Sequence, residues 1–249
     1  MDLNTIYNEE CLEGMKKIED KSVDMILCDL PYGTTRNKWD SIIPFDELWR
    51  EYNRIIKDNG AIVLTSAQPF TSSLVMSNIK NFKYSWTWDK KLSTGHLNAK
   101  KQPLRRTEDI CIFYKKPPTY NPQIVKRDKK RVDKASGKVV LGDGKQSYGE
   151  HMHVGGEYDF RYPTNILEFS NANRKNKTHP TQKPLELFEY LIKTYTNEGE
   201  TVLDNCMGSG TTAIACINTN RNYIGFELDE GYYKASLDRI EKHKEENAN

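Results

Sequence analysis

Thr201-Val202-Leu203-Asp204-Asn205-Cys206-Met207-Gly208-Ser209-Gly210-Thr211-Thr212 joins a short apolar strand to a helix through a turn that carries two glycines. Glycine lets a backbone come close to a ligand, and a helix N-terminus favours a negatively charged group. The helix runs through about Asn218, and the next apolar run, Tyr223-Ile224-Gly225-Phe226, ends at Glu227, 23 residues after Asp204. Strand, turn, helix and acid-tipped strand make one unit of a doubly wound sheet. An acid at that place bonds ribose hydroxyls.

The same alternation extends upstream. Val23-Asp24-Met25-Ile26-Leu27-Cys28 and Ala61-Ile62-Val63-Leu64-Thr65 read as buried strands. Between them Phe45, Leu48, Trp49, Tyr52, Ile55 and Ile56 recur at helical spacing, and Asn59-Gly60 supplies a stop. Pro69 opens a helix to about Ile79, and 84–88 and 109–114 read as strands. Pro184 opens another helix, carrying Leu187, Leu191 and Tyr195, and an amphipathic helix with Tyr233, Leu237 and Ile240 closes the chain. The expected fold is α/β, with a mainly parallel, doubly wound sheet. From about 115 to 176 the periodicity lapses into Pro117-Pro118, Asn121-Pro122 and clustered glycines and lysines, which reads as a long irregular insert.

Three ligands compete for the glycine turn. A phosphate-binding P-loop needs Lys beside Ser/Thr after the second glycine, and Thr211-Thr212 does not supply it. A nicotinamide site prefers a third glycine where Ala213 and Ile214 stand. A nucleoside with an amino-acid tail, such as S-adenosylmethionine, has no pyrophosphate and needs fewer glycines. This third reading fits best.

A second cluster follows the first strand: Asp29, Leu30, Pro31 and Tyr32, then Gly33. Proline has a fixed φ and no N–H, so it stiffens the turn and leaves the preceding carbonyl free to accept. A carboxylate, that carbonyl and an aromatic ring suit a planar heterocycle bearing an amino group. The residues alone are equally compatible with an ordinary Pro-Tyr-Gly turn.

Charge and cysteine usage narrow the class. The net charge is only +2, but residues 80–150 hold 18 Lys/Arg against 7 Asp/Glu, leaving 19 against 28 elsewhere. A basic segment in an acidic body fits a polyanion-binding face or a solvated lysine-rich loop. Lys126, Arg127, Lys129, Lys130 and Arg131 are its densest cluster and the candidate phosphate contacts. The five cysteines are scattered with no C-x-x-C pair, which argues against a disulfide framework or a cysteine zinc site. None of the five histidines makes a convincing metal site; His151-x-His153, the one close pair, reads as a surface feature. No apolar run reaches eighteen residues, and the N-terminus lacks a signal-peptide pattern, so a soluble intracellular protein without a membrane partner is expected.

Asp29-Leu30-Pro31-Tyr32 together with 204–211 resembles the amino-methylating DNA methyltransferases, which act on the exocyclic amine of adenine or cytosine. The tetrapeptide precedes the basic insert, which precedes the cofactor motif. That order resembles the family's beta group, a circularly permuted form of the class I S-adenosylmethionine-dependent methyltransferase fold. His179-Pro180-Thr181-Gln182-Lys183-Pro184, Trp88-Asp89-Lys90 and Arg105-Arg106-Thr107-Glu108-Asp109 also resemble family segments. The resemblance implies a catalytic half over 1–115, a target-recognition insert over 116–176 and a cofactor-binding half over 177–249. It implies catalysis by Asp29, Leu30, Pro31 and Tyr32. S-adenosylmethionine would be held by Asp29, Lys183, Asp204, Cys206, Gly208, Ser209, Gly210, Thr211 and Glu227. Implied partners are double-stranded DNA, a cognate restriction endonuclease and a second copy in a homodimer, in the cytoplasm of a bacterial or phage-infected cell.

Two positions depart from the family pattern. Leu30 stands where proline is commoner, and Asn205-Cys206 replaces a frequent Pro-Phe pair, removing an aromatic wall from the adenosine site. Cytosine members more often carry serine at the position of Asp29, so adenine is the expected base. The alternatives are N4 of cytosine, RNA methylation, or a non-catalytic DNA-binding subunit that keeps only the fold.

Overall fold

Strands that are apolar on both faces are stable only inside a sheet covered on both sides, and the structure is built around that requirement. The computed structural model describes residues 1–33, 40–133, 137–138, 152–153, 156–171 and 182–247. In chain order the elements are β1 (Thr5–Tyr7), α1 (Cys11–Met15), β2 (Val23–Cys28), α2 (Phe45–Ile55), β3 (Ile56–Ser66), α3 (Phe70–Ser77), β4 (Phe82–Thr94), β5 (Arg105–Phe113) and β6 (Val125–Asp133). There follow β7 (Gly137–Lys138), β8 (Met152–His153), β9 (Gly156–Arg161), β10 (Ile166–Glu168), α4 (Leu185–Tyr195), β11 (Thr201–Asp204), α5 (Thr211–Asn218), β12 (Asn222–Phe226) and α6 (Glu230–Asn247). The chain divides into two compact units, one formed by 1–121 with 165–249 and the other by 122–164.

In the larger unit the sheet order is β1-β12-β11-β2-β3-β5-β4-β10. All neighbours pair in parallel except β3 with β5 and β5 with β4, so β5 alone runs against the rest. Side-chain alternation sorts the strands into two cores. Met25, Leu27, Ala61, Val63 and Val202 face one way, packed with Leu187 and Leu191 of α4 and Ala213 and Ile214 of α5. Ile26, Cys28, Ile62, Leu64 and Leu203 face the other, against Leu48, Tyr52 and Ile55 of α2 and Leu74 of α3. Burying each such side chain contributes about 1.5–3 kcal/mol of transfer free energy.

The chain leaves β2 toward β3 on one side and leaves β11 toward β12 on the other, although β2 and β11 are paired neighbours. Ligands of open α/β sheets bind where the winding reverses in this way, outside the carboxyl ends of the strands. Asp29 and Asp204 stand at those two ends.

The long periodic elements lie where the sequence pattern predicts them. Asn59-Gly60, read as a stop, instead falls inside the early part of β3, beside a register shift opposite Val23 and Met25. β4 and β5 run well past the expected 84–88 and 109–114, because Asp89, Lys90, Lys91, Arg105 and Arg106 hide the strand pattern. β1, α1 and β10 are too short to carry a period. Residues 116–121 and 165–171, grouped with the insert from sequence, belong with the larger unit, where β10 pairs with β4 and the Asn121 N–H donates to Thr194 O at 2.8 Å.

In the smaller unit, β6 pairs antiparallel with β9 and β7 with β8. The lysine-rich stretch read as irregular therefore holds a β-ladder; charges on both sides of β6 mask the alternation that marks a strand. Among the described residues no helix is long and apolar enough to cross a membrane.

Candidate active site

Both sequence clusters open into one cavity of about 380 Å³ in the larger unit, lined by Asp29, Tyr32, Lys183, Cys206, Gly208 and Glu227 among others. Asp29 leaves β2 with its carboxylate tied on both oxygens. The Tyr32 hydroxyl donates to Oδ1 at 2.9 Å, the Thr65 hydroxyl donates to the same atom, and Lys183 Nζ lies 2.7 Å from Oδ2. A carboxylate offers about four lone-pair sites, so one acceptor position remains. The Leu30 side chain is buried in the core, which explains why leucine is tolerated there, while its carbonyl accepts no hydrogen bond from the described residues.

Lys183 arrives just before α4, whose N-cap is Pro184. It sits between two carboxylates, Asp29 and Glu108, the latter 3.6 Å away. Burial by itself lowers the ammonium pKa, but the charges of Asp29 and Glu108 outweigh it and hold Lys183 above the ordinary lysine value. Glu108 accepts from Lys90 at 3.0 Å through Oε1, and its buried Oε2 has no hydrogen-bond partner among the described residues. Lys90, Glu108, Lys183 and Asp29 thus alternate in sign through a partly dry site, where such charges interact more strongly than in water.

Tyr32 stacks on Phe70 at 5.0 Å between centroids and 23° between planes. Burial, reinforced by the Asp29 and Glu108 charges, pushes its phenol well above the ordinary range, so Tyr32 stays protonated and donates.

At the other strand end, Asp204 is buried and faces inward to its own loop. Oδ1 accepts the Cys206 N–H at 3.0 Å, and Oδ2 accepts from the Thr212 hydroxyl. Burial pushes its pKa up to about 6, against the lowering effect of those bonds. Gly208 and Gly210 adopt φ of 54° and 76°, the left-handed region open to glycine. A Cβ on Gly210 would also come within 3.2 Å of Ser236 on α6. Glu227 accepts the Gly208 N–H at 2.7 Å and the Asp229 N–H at 2.9 Å, and burial raises its pKa against both bonds.

Ser209 and Thr211 line the cavity but are also gripped from behind by Arg239, which donates to the Ser209 carbonyl at 2.8 Å and to Thr211 Oγ1 at 3.0 Å. Cys206 is partly exposed on the wall. Its neighbour Asn205 is buried and accepts from the hydroxyl of fully buried Tyr52, so the Asn that departs from the family pattern satisfies a core tyrosine.

Lys126, Lys129, Lys130 and Arg131 are exposed on β6 of the smaller unit. Lys130 is matched there by Glu157 at 3.5 Å and Asp159 at 3.8 Å, and Arg127 Nε donates to Phe160 O at 3.1 Å. His179, Pro180, Thr181, His151 and the expected boundary at 176 lie outside the described residues. Sequence reading missed Thr65, Phe70 and the charges on Glu108 and Lys90 as members of this site. Thr65 was legible as a polar residue ending a strand; the others come from elements whose neighbourhood only folding sets.

With this geometry in place, known proteins supply the family. Residues 23–238 match the N6_N4_Mtase family, described as DNA methylase. The chain belongs to that family. It is therefore a DNA methyltransferase of the N6/N4 amino-methylating kind. It is 29% identical to the Type II methyltransferase M1.MboII of Moraxella bovis, over 93% of this chain and 94% of that protein. It is 28% identical to the DNA adenine methyltransferase YhdJ of Escherichia coli K12, over 95% of this chain and 82% of that one. The crystal structure of an M1.HpyAVI–SAM complex shares the fold at a TM-score of 0.63 and 23% identity, covering 95% of this chain and 98% of that one.

Proposed function

We propose that this methylase is site-specific, uses S-adenosylmethionine and methylates the exocyclic N6 amine of adenine in duplex DNA. The observation that carries the reading is the opening of Asp29 and the Gly208–Glu227 cradle into one cavity. The cradle fits the cofactor: two left-handed glycines bare the backbone, and Glu227 already accepts hydrogen bonds where ribose hydroxyls would donate. Gly208, Gly210 and Glu227 would hold the nucleoside, with Cys206, Ser209 and Thr211 as walls and Lys183 toward the amino-acid tail. When bound, S-adenosylmethionine supplies an electrophilic methyl on a sulfonium.

The remaining chemistry falls to the chain. An aromatic amine is a poor nucleophile because its lone pair is delocalised into the ring. The free acceptor site of Asp29 and the Leu30 carbonyl take its two N–H bonds, which localises the lone pair on nitrogen. These acceptors interact more strongly as positive charge develops, so they favour the transition state. Thr65, Tyr32 and Lys183 hold the Asp29 carboxylate in one orientation, and Tyr32 supplies an aromatic wall for the extruded base. Lys126, Lys129 and Arg131 of the 122–164 unit contact phosphates; Lys130, already matched by two acids, contributes less. Adenine is favoured by Asp29 at the head of the tetrapeptide and by the likeness to YhdJ, and the Type II relative favours a cognate restriction endonuclease.

The family name covers N4 of cytosine as well, and one experiment separates the two. Radiolabelled methyl transfer to unmethylated DNA, followed by nucleoside analysis, is expected to place the label in N6-methyladenosine. Label in N4-methylcytosine would overturn the choice of base, and label in neither would overturn the function.

A further inference from the structure

The β4–β5 ladder outruns the rest of the sheet. β3 stops pairing at Ser66, opposite Asp109. β4 and β5 continue through Trp88↔Glu108 and Asp89↔Thr107 to Thr94↔Arg105. β4 runs in the same direction as β2 and β3, so this extension leaves the carboxyl edge of the sheet, the edge where Asp29 stands. At about 3.3 Å per residue, 89–94 project roughly 15 Å as a two-stranded finger.

The finger's surface is unusual for a protein tip. Gly95, at φ 90°, turns the chain into the short turn His96–Asn98, and Leu97 is fully exposed at 102%. Leu92 and Leu104 are also exposed along the shaft. Residues 90–107 contain six Lys/Arg and no Asp/Glu. Lys90, Lys91 and Arg106 are matched by Glu108, Glu168 and Asp89. Lys100, Lys101 and Arg105 are exposed and make no ion pair among the described residues. A bare leucine ringed by unmatched cations suits a polyanion with an apolar interior. Duplex DNA has that chemistry.

We propose that this finger is a DNA-contacting element of the larger unit, in which Lys100, Lys101 and Arg105 contact phosphates and Leu97 enters the base stack as the target base leaves it. Extruding a base costs a few kcal/mol of lost stacking and pairing, and an apolar wedge in the vacated step offsets part of that cost. The proposal rests on the DNA-methylation reading above and adds to it where the duplex is opened.

The test begins by reading the target sequence from plasmid DNA methylated by the wild-type chain, with modification-sensitive sequencing. Synthetic duplexes carrying that site are then compared with duplexes in which the target base faces an abasic position, where extrusion is easier. Leu97→Gly is expected to lower kcat/KM on the intact duplex by about tenfold to a hundredfold and on the abasic duplex by less than about threefold. Leu97→Met should restore most of the loss. The triple change Lys100→Ala, Lys101→Ala and Arg105→Ala should flatten the log–log salt dependence of binding by about two to three. Equal rates for Leu97→Gly and wild type on the intact duplex, or an equal loss on both duplexes, would overturn the wedge; an unchanged salt slope would overturn the phosphate contacts. Wild-type protein that transfers no methyl to DNA would instead overturn the functional reading, and the salt slope would still judge the finger.

Discussion

Asp29 and Asp204 end two paired neighbouring strands, yet their surroundings make them different groups. Asp29 faces a lysine and two hydroxyls, keeps one acceptor site and lines the cavity. Asp204 is buried, and both its oxygens serve its own loop, where burial lifts its pKa to about 6. A carboxylate beside a cation with a spare lone pair can meet a substrate's N–H. One whose acceptors are spent on its own loop instead fixes where the glycines and Glu227 stand. Position along a strand is therefore a weak guide to role, and neighbours decide it.

The contrast can be broken most severely at Asp29. Asp29→Ala is expected to lower the methyl-transfer rate by about a thousandfold or more while calorimetry still detects cofactor binding. Near-normal turnover would remove Asp29 from the chemistry. Asp204→Asn tests the other side through pH. Because the folded-state pKa is raised from 3.8 to about 6, the stability linked to this group is present below about pH 4 and is lost as pH rises through about 6. The variant should lack that loss, so its stability relative to wild type should rise by about 2–3 kcal/mol between pH 4 and pH 7 in denaturant titrations. A constant difference across that range would show that Asp204 is not held in this way.

The smallest effect sharpens the loop that Asp204 supports. Gly210→Ala must place a Cβ at φ 76° and press on Ser236, costing about 1–2 kcal/mol of stability in chemical denaturation. Gly208→Ala meets the same φ restriction but no crowding, since its nearest atom is Cys206 O at 3.9 Å, and should cost less. Equal losses at the two glycines would discount the packing of α6.

Much of this was legible in the chain. β2, β3, β11 and β12 declare themselves because strands buried on both faces are continuous apolar runs, and α2 and α4 because their apolar residues recur at helical spacing. The motif order, Asp29 before Gly208 before Glu227, followed directly. Charged shafts escaped: β6 and the outer parts of β4 and β5 carry lysine and arginine where a period of two would need an apolar face.

The sequence by itself determined which side chains could do the chemistry, since residue type and local spacing fix donors, acceptors and glycine turns. Only the tertiary structure decided that Lys183 meets an aspartate 154 residues away, that Thr65 and Glu108 join them, and that Asp204 turns inward. The physical reason is the parallel sheet. Its crossovers bring the carboxyl ends of strands remote in sequence to one edge, and burial there sets which charges meet and which are spent on the fold.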